Sequence, residues 1–216
     1  DNTLCINEWS GAIWDHNTMP WDAYSMQIEN LLLKGARVDA VGAQYHMFYR
    51  MEEYFRCTRK FYNLAHCLKV LDNYARFNKP VQITEITIPA YTAEEHDEQL
   101  QADVIEKMYS MWFSYPAITQ IIYWNLVDGY AAFTTPGNMA DGENYYRGGL
   151  LRFDMSEKPA YKRIKHLIKD VWNTDEEVAV KDGKATFRGF YGEYEVTADG
   201  KTYTVNFDRD GKEVCL

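Results

Sequence analysis

The sequence is poor in cysteine, in long apolar runs and in positive charge, and each shortage excludes something. Only four cysteines occur in 216 residues, Cys5, Cys57, Cys67 and Cys215, and the central pair stands ten positions apart. That matches no metal-ligand spacing, so the four are expected to be buried small hydrophobes, and no metal or other cofactor is expected. No apolar stretch approaches the roughly 18 residues a membrane-crossing helix requires, and no membrane partner is expected. Lys and Arg total 23 against 32 Asp and Glu, a net charge of −9 with a pI near 5.1. Nothing resembles a basic stripe, which excludes a nucleic-acid partner. The chain starts at Asp1 rather than Met and no signal-like apolar segment follows. Either a leader has been removed or the chain is a piece of something longer.

What is plentiful is aromatic surface, with 17 Tyr and 6 Trp. In an acidic chain this suits a neutral ligand that stacks on rings. The hydrophobic content of 46% and the length are enough to bury a core.

The apolar patterns mark off a repeating unit. Leu4-Cys5-Ile6 is a short apolar run ahead of Asn7-Glu8. After Asp22, the residues Tyr24, Ile28, Leu31 and Leu32 recur at helical spacing and stop near Gly35. Residues 38–44 (VDAVGAQ) read as a buried strand, followed by a helix carrying Phe61, Leu64, Leu68, Leu71 and Ala75. Pro80 closes that helix, and residues 81–86 form the next strand. Thr92 and Glu95 have the spacing of a capping box, ahead of a helix with Leu100, Val104, Met108 and Met111. Residues 118–124 (ITQIIYW) are a fourth strand, and Ser156 is placed to cap a last helix with Ile164, Leu167, Ile168 and Val171. Strands alternating with helices predict an α/β fold with a parallel sheet. A closed eight-fold β/α barrel takes about 250 residues and eight such units, so residues 1–174 predict half of one. Residues 175–216 change character. Five hydrophobic runs are separated by Asp182-Gly183, Asp199-Gly200 and Asp210-Gly211, the pattern of hairpins, which predicts a small antiparallel β appendage after an Asn173-Thr174-Asp175 linker.

In such a sheet, ligands bind at the carboxyl ends of the strands. That rule selects Asn7-Glu8, Gln44-Tyr45-His46, Glu85, and Trp124-Asn125 with Asp128. Glu85 lies in an apolar strand, where burying a carboxylate without a partner is costly. It is either a nucleophile or base at the strand mouth, or an anchor paired with Arg or Lys. His46 could orient it, or could be a satisfied structural group. Trp124 is either a stacking platform or core. Asp128 and Glu8 are candidate second carboxylates, though loop acids are commonly just solvated. The pairs Glu52-Glu53 and Glu94-Glu95 read as helix-start charges.

These residues resemble glycoside hydrolase family 10, the endo-β-1,4-xylanases. Q-I-T-E-I, ending at Ile86, is similar to the family's nucleophile segment. L-C-I-N-E (4–8), G-A-Q-Y-H (42–46), W-N-L-V-D-G (124–129), and G-G-L-L-R-F-D followed by K-P-A-Y (148–161) are similar to its other strand-end and closing motifs, in the same order. The resemblance implies strands five to eight of a TIM barrel. It implies Glu85 as nucleophile and His46 as its hydrogen-bonding partner. Gln44, Tyr45, Asn7, Trp124 and Asp128 become substrate-binding candidates, with xylan or xylo-oligosaccharides as substrate and a secreted, extracellular setting. Three departures stand out. Thr87 replaces the family's usual Asp or Asn two residues after the nucleophile. Ala132, with Phe133 beside it, stands where a second Trp is usual. The acid/base segment of the fourth strand is missing.

Three expectations follow. The chain is the C-terminal part of a retaining xylanase whose acid/base lies on an N-terminal half-barrel, and is inactive alone. Otherwise it is a carbohydrate-binding remnant, or it self-associates into a symmetric barrel.

Overall fold

The computed structural model describes residues 2–14, 21–208 and 211–215. It divides into two compact units, Asp1–Ile164 and Lys165–Leu216.

The first unit is built on four parallel strands in the order β1-β2-β3-β4: β1 (Cys5–Glu8), β2 (Ala40–His46), β3 (Val81–Thr87) and β4 (Ile118–Ile121). Between them run α1 (Ser10–Trp14), α2 (Ala23–Leu33), α3 (Tyr54–Thr58), α4 (Leu64–Ala75) and α5 (Glu95–Ser114), with α6 (Pro159–His166) after β4. The α/β alternation read from the sequence is thus present. Strand ends differ from expectation by one or two residues, except at β4. There regular pairing stops at Ile121, although the amides of Ile122 and Trp124 still reach the carbonyls of Ile83 and Ile86.

Local chemistry explains the helix ends. Asp22 caps α2 by accepting from the Ser25 amide at 2.9 Å, and it also accepts from Asn73 Nδ2 at 2.8 Å, tying α2 to α4. At the other end of α2, Gly35 takes a φ of 74°. Its amide and that of Ala36 return to Leu32 and Leu31, closing the last carbonyls. Two expected caps are not made. Thr92 does not form a box with Glu95, because its hydroxyl accepts from the Glu94 amide and bonds to Asp97. Ser156 caps nothing, because α6 begins only at Pro159 and the Ser156 amide and hydroxyl turn back to Asp154.

The core lies between the sheet and its helices. Tyr45 is fully buried there, edge-on to Trp14, Phe61 and Trp112 at centroid distances of 5.2, 5.4 and 4.9 Å. The buried stripes of α4 and α5 keep Leu71, Met108 and Met111 of those expected but are otherwise shifted. Cys67, Val70 and Tyr74 pack inward while Leu68 is exposed, and Ile105 and Trp112 pack inward while Leu100 is exposed. On α5 the inward stripe includes two polar residues: Glu98 forks onto Arg152, and Gln101 Nε2 donates to the Ile88 carbonyl at 2.8 Å while its Oε1 has no hydrogen-bond partner. Of the cysteines only Cys67 is buried. Cys5 and Cys215 are exposed and Cys57 is intermediate, because Cys5 stands on an edge strand with one face uncovered.

Among the described residues the second unit contains a single regular hairpin, β5 (Gly192–Ala198) with β6 (Lys201–Phe207). Asp199 and Gly200 both have positive φ, 50° and 76°, as the two-residue turn of a right-twisted hairpin requires. Phe187, Tyr194 and Phe207 form a triangle of rings 5.1–5.5 Å apart over one face. The other expected hairpins are not realised among the described residues. Asp182-Gly183 makes the turn, but the pairing ends at one bridge, Lys181 with Lys184, because the flanking Val178 and Val180 are exposed and have nothing to pack on. Asp210 lies outside the described residues.

Candidate active site

The site is created by an irregularity in β3. Ala43 of β2 pairs with Ile83 of β3, but the next residue, Gln44, pairs with Glu85, so Thr84 is an extra residue in the ladder. Side chains alternate faces along a strand. Ile83 is buried on the helix side, so regular alternation would turn Glu85 toward the helices as well. The bulge shifts the phase by one. Val81 and Ile83 face the helices before it, Ile86 and Ile88 after it, and Glu85 shares the opposite face with Gln44.

On that face four expected residues meet. Glu85 Oε2 lies 2.9 Å from His46 Nε2, Gln44 Nε2 donates to Glu85 Oε1 at 3.0 Å, and Asn7 Nδ2 reaches the same oxygen at 3.5 Å. Asn7 is held in turn by the Thr84 hydroxyl, donated to its Oδ1 at 2.7 Å. It fits because residue 42 is glycine: a Cβ there would stand 2.7 Å from that same Oδ1. The Glu85 side chain keeps 20% exposure, and no Arg or Lys pairs with it among the described residues. The anchor reading is therefore not realised at Glu85. It is realised at Asp128.

Asp128 is buried, its Oδ2 3.2 Å from Lys158 Nζ and its Oδ1 accepting from the Gly149 amide at 2.8 Å. Lys158, at 0% exposure, also donates to the Arg147 carbonyl. Burial raises the Asp128 pKa and lowers that of Lys158, while the attraction between them opposes both shifts. This carboxylate offers nothing to a ligand. Neither does Tyr45: one position out of phase with Gln44 and His46, it points into the core and donates its hydroxyl to the Phe61 carbonyl at 2.6 Å. Glu8 is partly exposed, and its Oε1 accepts from the Trp9 amide.

Trp124 does reach the site. Its indole meets the His46 ring edge-on at 5.6 Å and remains 42% exposed. The indole N–H donates to Glu143 Oε2 at 2.9 Å, and Asn125 Nδ2 approaches the same oxygen. Phe48 stacks flat on His46, 4.5 Å between centroids and 13° between planes. On the far side of that ring, Thr87 Oγ1 lies 3.0 Å from His46 Nδ1. Burial lowers the His46 pKa, against the pull of Glu85 and Glu143. Glu143 and Phe48 were not singled out in the sequence, and Thr84 only as the neighbour of Glu85 on its strand. Thr84 had a visible signal: two polar residues in succession, where the apolar phase slips from 81 and 83 to 86 and 88. Glu143 had none, because a loop acid 58 positions from Glu85 looks like any solvated charge.

The arrangement can present a carboxylate, held by Gln44, Asn7 and His46, beside an aromatic face. Among the described residues no cluster of His, Cys, Asp or Glu could hold a metal ion.

Comparison with known proteins bears on what the site serves. The family described as Glycosyl hydrolase family 10 matches residues 1–167. Endo-1,4-beta-xylanase B of Thermotoga neapolitana is 26% identical over 172 residues, covering 79% of this chain and 44% of that protein. The anti-sigma-I factor RsgI6 of Acetivibrio thermocellus is 28% identical over 187 residues, 82% of this chain and 20% of its own length. Among solved structures, xylanase 10B from Thermotoga maritima is similar with a TM-score of 0.56 at 27% identity, and that from Thermotoga petrophila, in complex with xylobiose, with 0.56 at 25%. Each alignment covers 79% of this chain, but only 48% and 47% of theirs. The chain thus spans less than half the length of these relatives.

Proposed function

This chain belongs to glycosyl hydrolase family 10, and from that premise we propose that it is the nucleophile-bearing part of a retaining endo-β-1,4-xylanase, corresponding to barrel strands five to eight. Glu85 is the nucleophile, and the acid/base carboxylate is carried on chain outside these 216 residues. In the first step Glu85 attacks the anomeric carbon of xylan, the glycosidic C–O bond breaks, and the leaving oxygen takes its proton from the acid. Water then hydrolyses the glycosyl ester, with the same acid/base removing its proton, across a carboxylate separation of about 5–5.5 Å. Trp124 stacks under a xylose ring, and Gln44 and Asn7 sit beside the nucleophile. The substrate is a polysaccharide too large to enter a cell, which fits an extracellular setting.

The observation that carries this reading is the bulge that turns Glu85 onto the face shared with His46, Gln44 and Asn7. Without a positioned acid the alkoxide must leave unprotonated, and that loss is about 10²–10⁴-fold. The chain alone is therefore inactive on xylan. Adding a polypeptide that carries the other four β/α units restores reducing-sugar release, and Glu85→Gln in the complex lowers it by about 10³-fold or more. Cleavage that survives that substitution overturns the assignment.

A second reading is favoured by one observation, the likeness to a protein named as an anti-sigma-I factor rather than as an enzyme. On it, the chain binds xylan without cutting it. Xylan would then quench tryptophan fluorescence through Trp124, with no reducing sugar released by the chain alone or by the complex.

A further inference from the structure

Thr87 brings a hydroxyl to His46 from a position with no solvent exposure. Its methyl is walled in by the chain at Gly148, where a Cβ would come within 2.5 Å of Thr87 Cγ2. The imidazole itself cannot turn: Phe48 lies flat against it, Trp124 stands at its edge, and both nitrogens are engaged.

The proton positions follow from which groups can donate. An ionised carboxylate only accepts, so the 2.9 Å contact with Glu85 Oε2 requires a hydrogen on His46 Nε2. The opposite nitrogen then has two options. If Nδ1 is bare, the ring is neutral and Thr87 O–H donates to it. If Nδ1 also carries hydrogen, the ring is a cation and Thr87 accepts. The charged groups that face the ring are Glu85 on β3 and Glu143 in the segment after β4, and both favour the cation. Against them stands burial between two aromatic rings, with only 9% of the side chain exposed. A hydroxyl adds no charge to that balance, so desolvation prevails.

We propose that Thr87 is a positioning residue whose hydroxyl donates to His46 Nδ1 and holds the ring as the neutral Nε2–H tautomer, so that Glu85 meets only uncharged donors. No imidazolium then lies beside the nucleophile to stabilise the carboxylate before attack. This gives the proton arrangement of the site proposed above. What the arrangement is for rests on that reading, but where the hydrogens sit does not.

The experiment is long-range proton–nitrogen NMR of the full chain with ¹⁵N-labelled histidine, read at pH 7 and through a titration. The wild-type His46 is expected to show a protonated Nε2 and a bare Nδ1 whose resonance is displaced by an accepted hydrogen bond. Thr87→Ser retains that pattern. Thr87→Val, equal in shape but without a donor, moves the Nδ1 resonance to the position of an unbonded nitrogen. Thr87→Asp puts an anion at Nδ1 and is expected to raise the proton affinity of the ring at least tenfold, one pH unit, in the titration. A wild-type ring protonated on both nitrogens or on Nδ1 alone overturns the proposal, as does a Thr87→Val spectrum with Nδ1 unmoved. If the Asp variant does not fold, the other three spectra still decide. A failure to restore xylanase activity leaves all of these readouts intact, so the two ideas fail separately.

Discussion

His46 is buried on the helix-free face of the sheet with its charge state opposed by desolvation, and that has a measurable cost in acid. Its pKa in the folded chain is lowered, chiefly by burial, while the unfolded chain titrates near 6.5. Over the interval between the two values the unfolded state binds more protons than the folded one. Stability therefore rises with pH across that interval. The contribution of His46 is complete above about pH 6.5 and is lost as the pH falls through the lower, folded value. Urea midpoints measured from pH 7.5 down to 5 should fall, and the fall should be shallower in His46→Gln, which has no titrating ring. Equal slopes in the two proteins would mean that His46 is charged, or exposed, in the fold. Asp128 and Lys158 pose the opposite case. Each would be destabilised by losing the other, because a buried charge left unpaired costs about 3–5 kcal/mol, so neither is free to take part in binding.

The element that decides the site is β3, and its bulge is open to a direct test. Deleting Thr84 restores an unbroken ladder with β2 in which Glu85 follows Ile83 directly, so alternation keeps it opposite Gln44 on the site face. The deletion removes the kink of the bulge and the hydroxyl that holds Asn7, and is expected to weaken xylan binding without abolishing it. Thr84→Ala keeps the backbone count and should leave Glu85 in place, losing only the hydrogen bond to Asn7. A deletion variant that no longer binds at all would mean that Glu85 has left this face and that alternation along β3 does not decide its direction.

This strand also shows what was legible in the sequence. Four β/α units could be read from periodicity, since enough residues of those frames, among them Tyr24, Ile28, Leu71, Val81, Ile83 and Met108, are buried where a period of 3.6 or 2 puts them. Glu85, His46 and Gln44 could be read because strand ends in a parallel sheet are where ligands bind. The parity that separates Tyr45 from its neighbours was equally visible, but an aromatic beside a histidine is easily taken for a sugar contact when the alternation is not applied. Three things were not legible, each because a distant partner or a missing neighbour decides it. The Asp128 side chain looks solvated until Lys158, 30 positions on, is folded against it. On α5, Leu100 is read as inward because Glu98 and Gln101, which pack there instead, look like surface residues until Arg152 and the Ile88 carbonyl are folded against them. The tail's turns are encoded by Asp-Gly, but strands need something to pack on, and only β5 and β6 have it.

At the scale of the whole molecule, the sheet of the first unit ends at β1 and β4, and no strand pairs with their outer edges among the described residues. Parallel sheets are ordinarily covered on both faces and rarely leave such edges open. The apolar groups beside them are exposed: Leu4 on the β1 side, Ile122 and Leu126 on the β4 side. Two forces then compete in solution. Burial of these groups and pairing of the edge amides favour association, while a net charge of −9 opposes association of the chain with itself. Added salt weakens only the second, since the screening length falls from about 10 Å at 0.1 M to about 3 Å at 1 M. Native mass measured by light scattering should therefore show self-association of the chain that strengthens from 0.1 M to 1 M salt. A polypeptide supplying the other four β/α units competes for the same edges. Its addition should convert those species into a one-to-one complex that no longer responds to salt, because its strands satisfy the edges outright. A chain that stays monomeric at both salt concentrations and ignores the added polypeptide would mean that the edges are not binding surfaces, and the xylanase reading would lose the partner that supplies its acid.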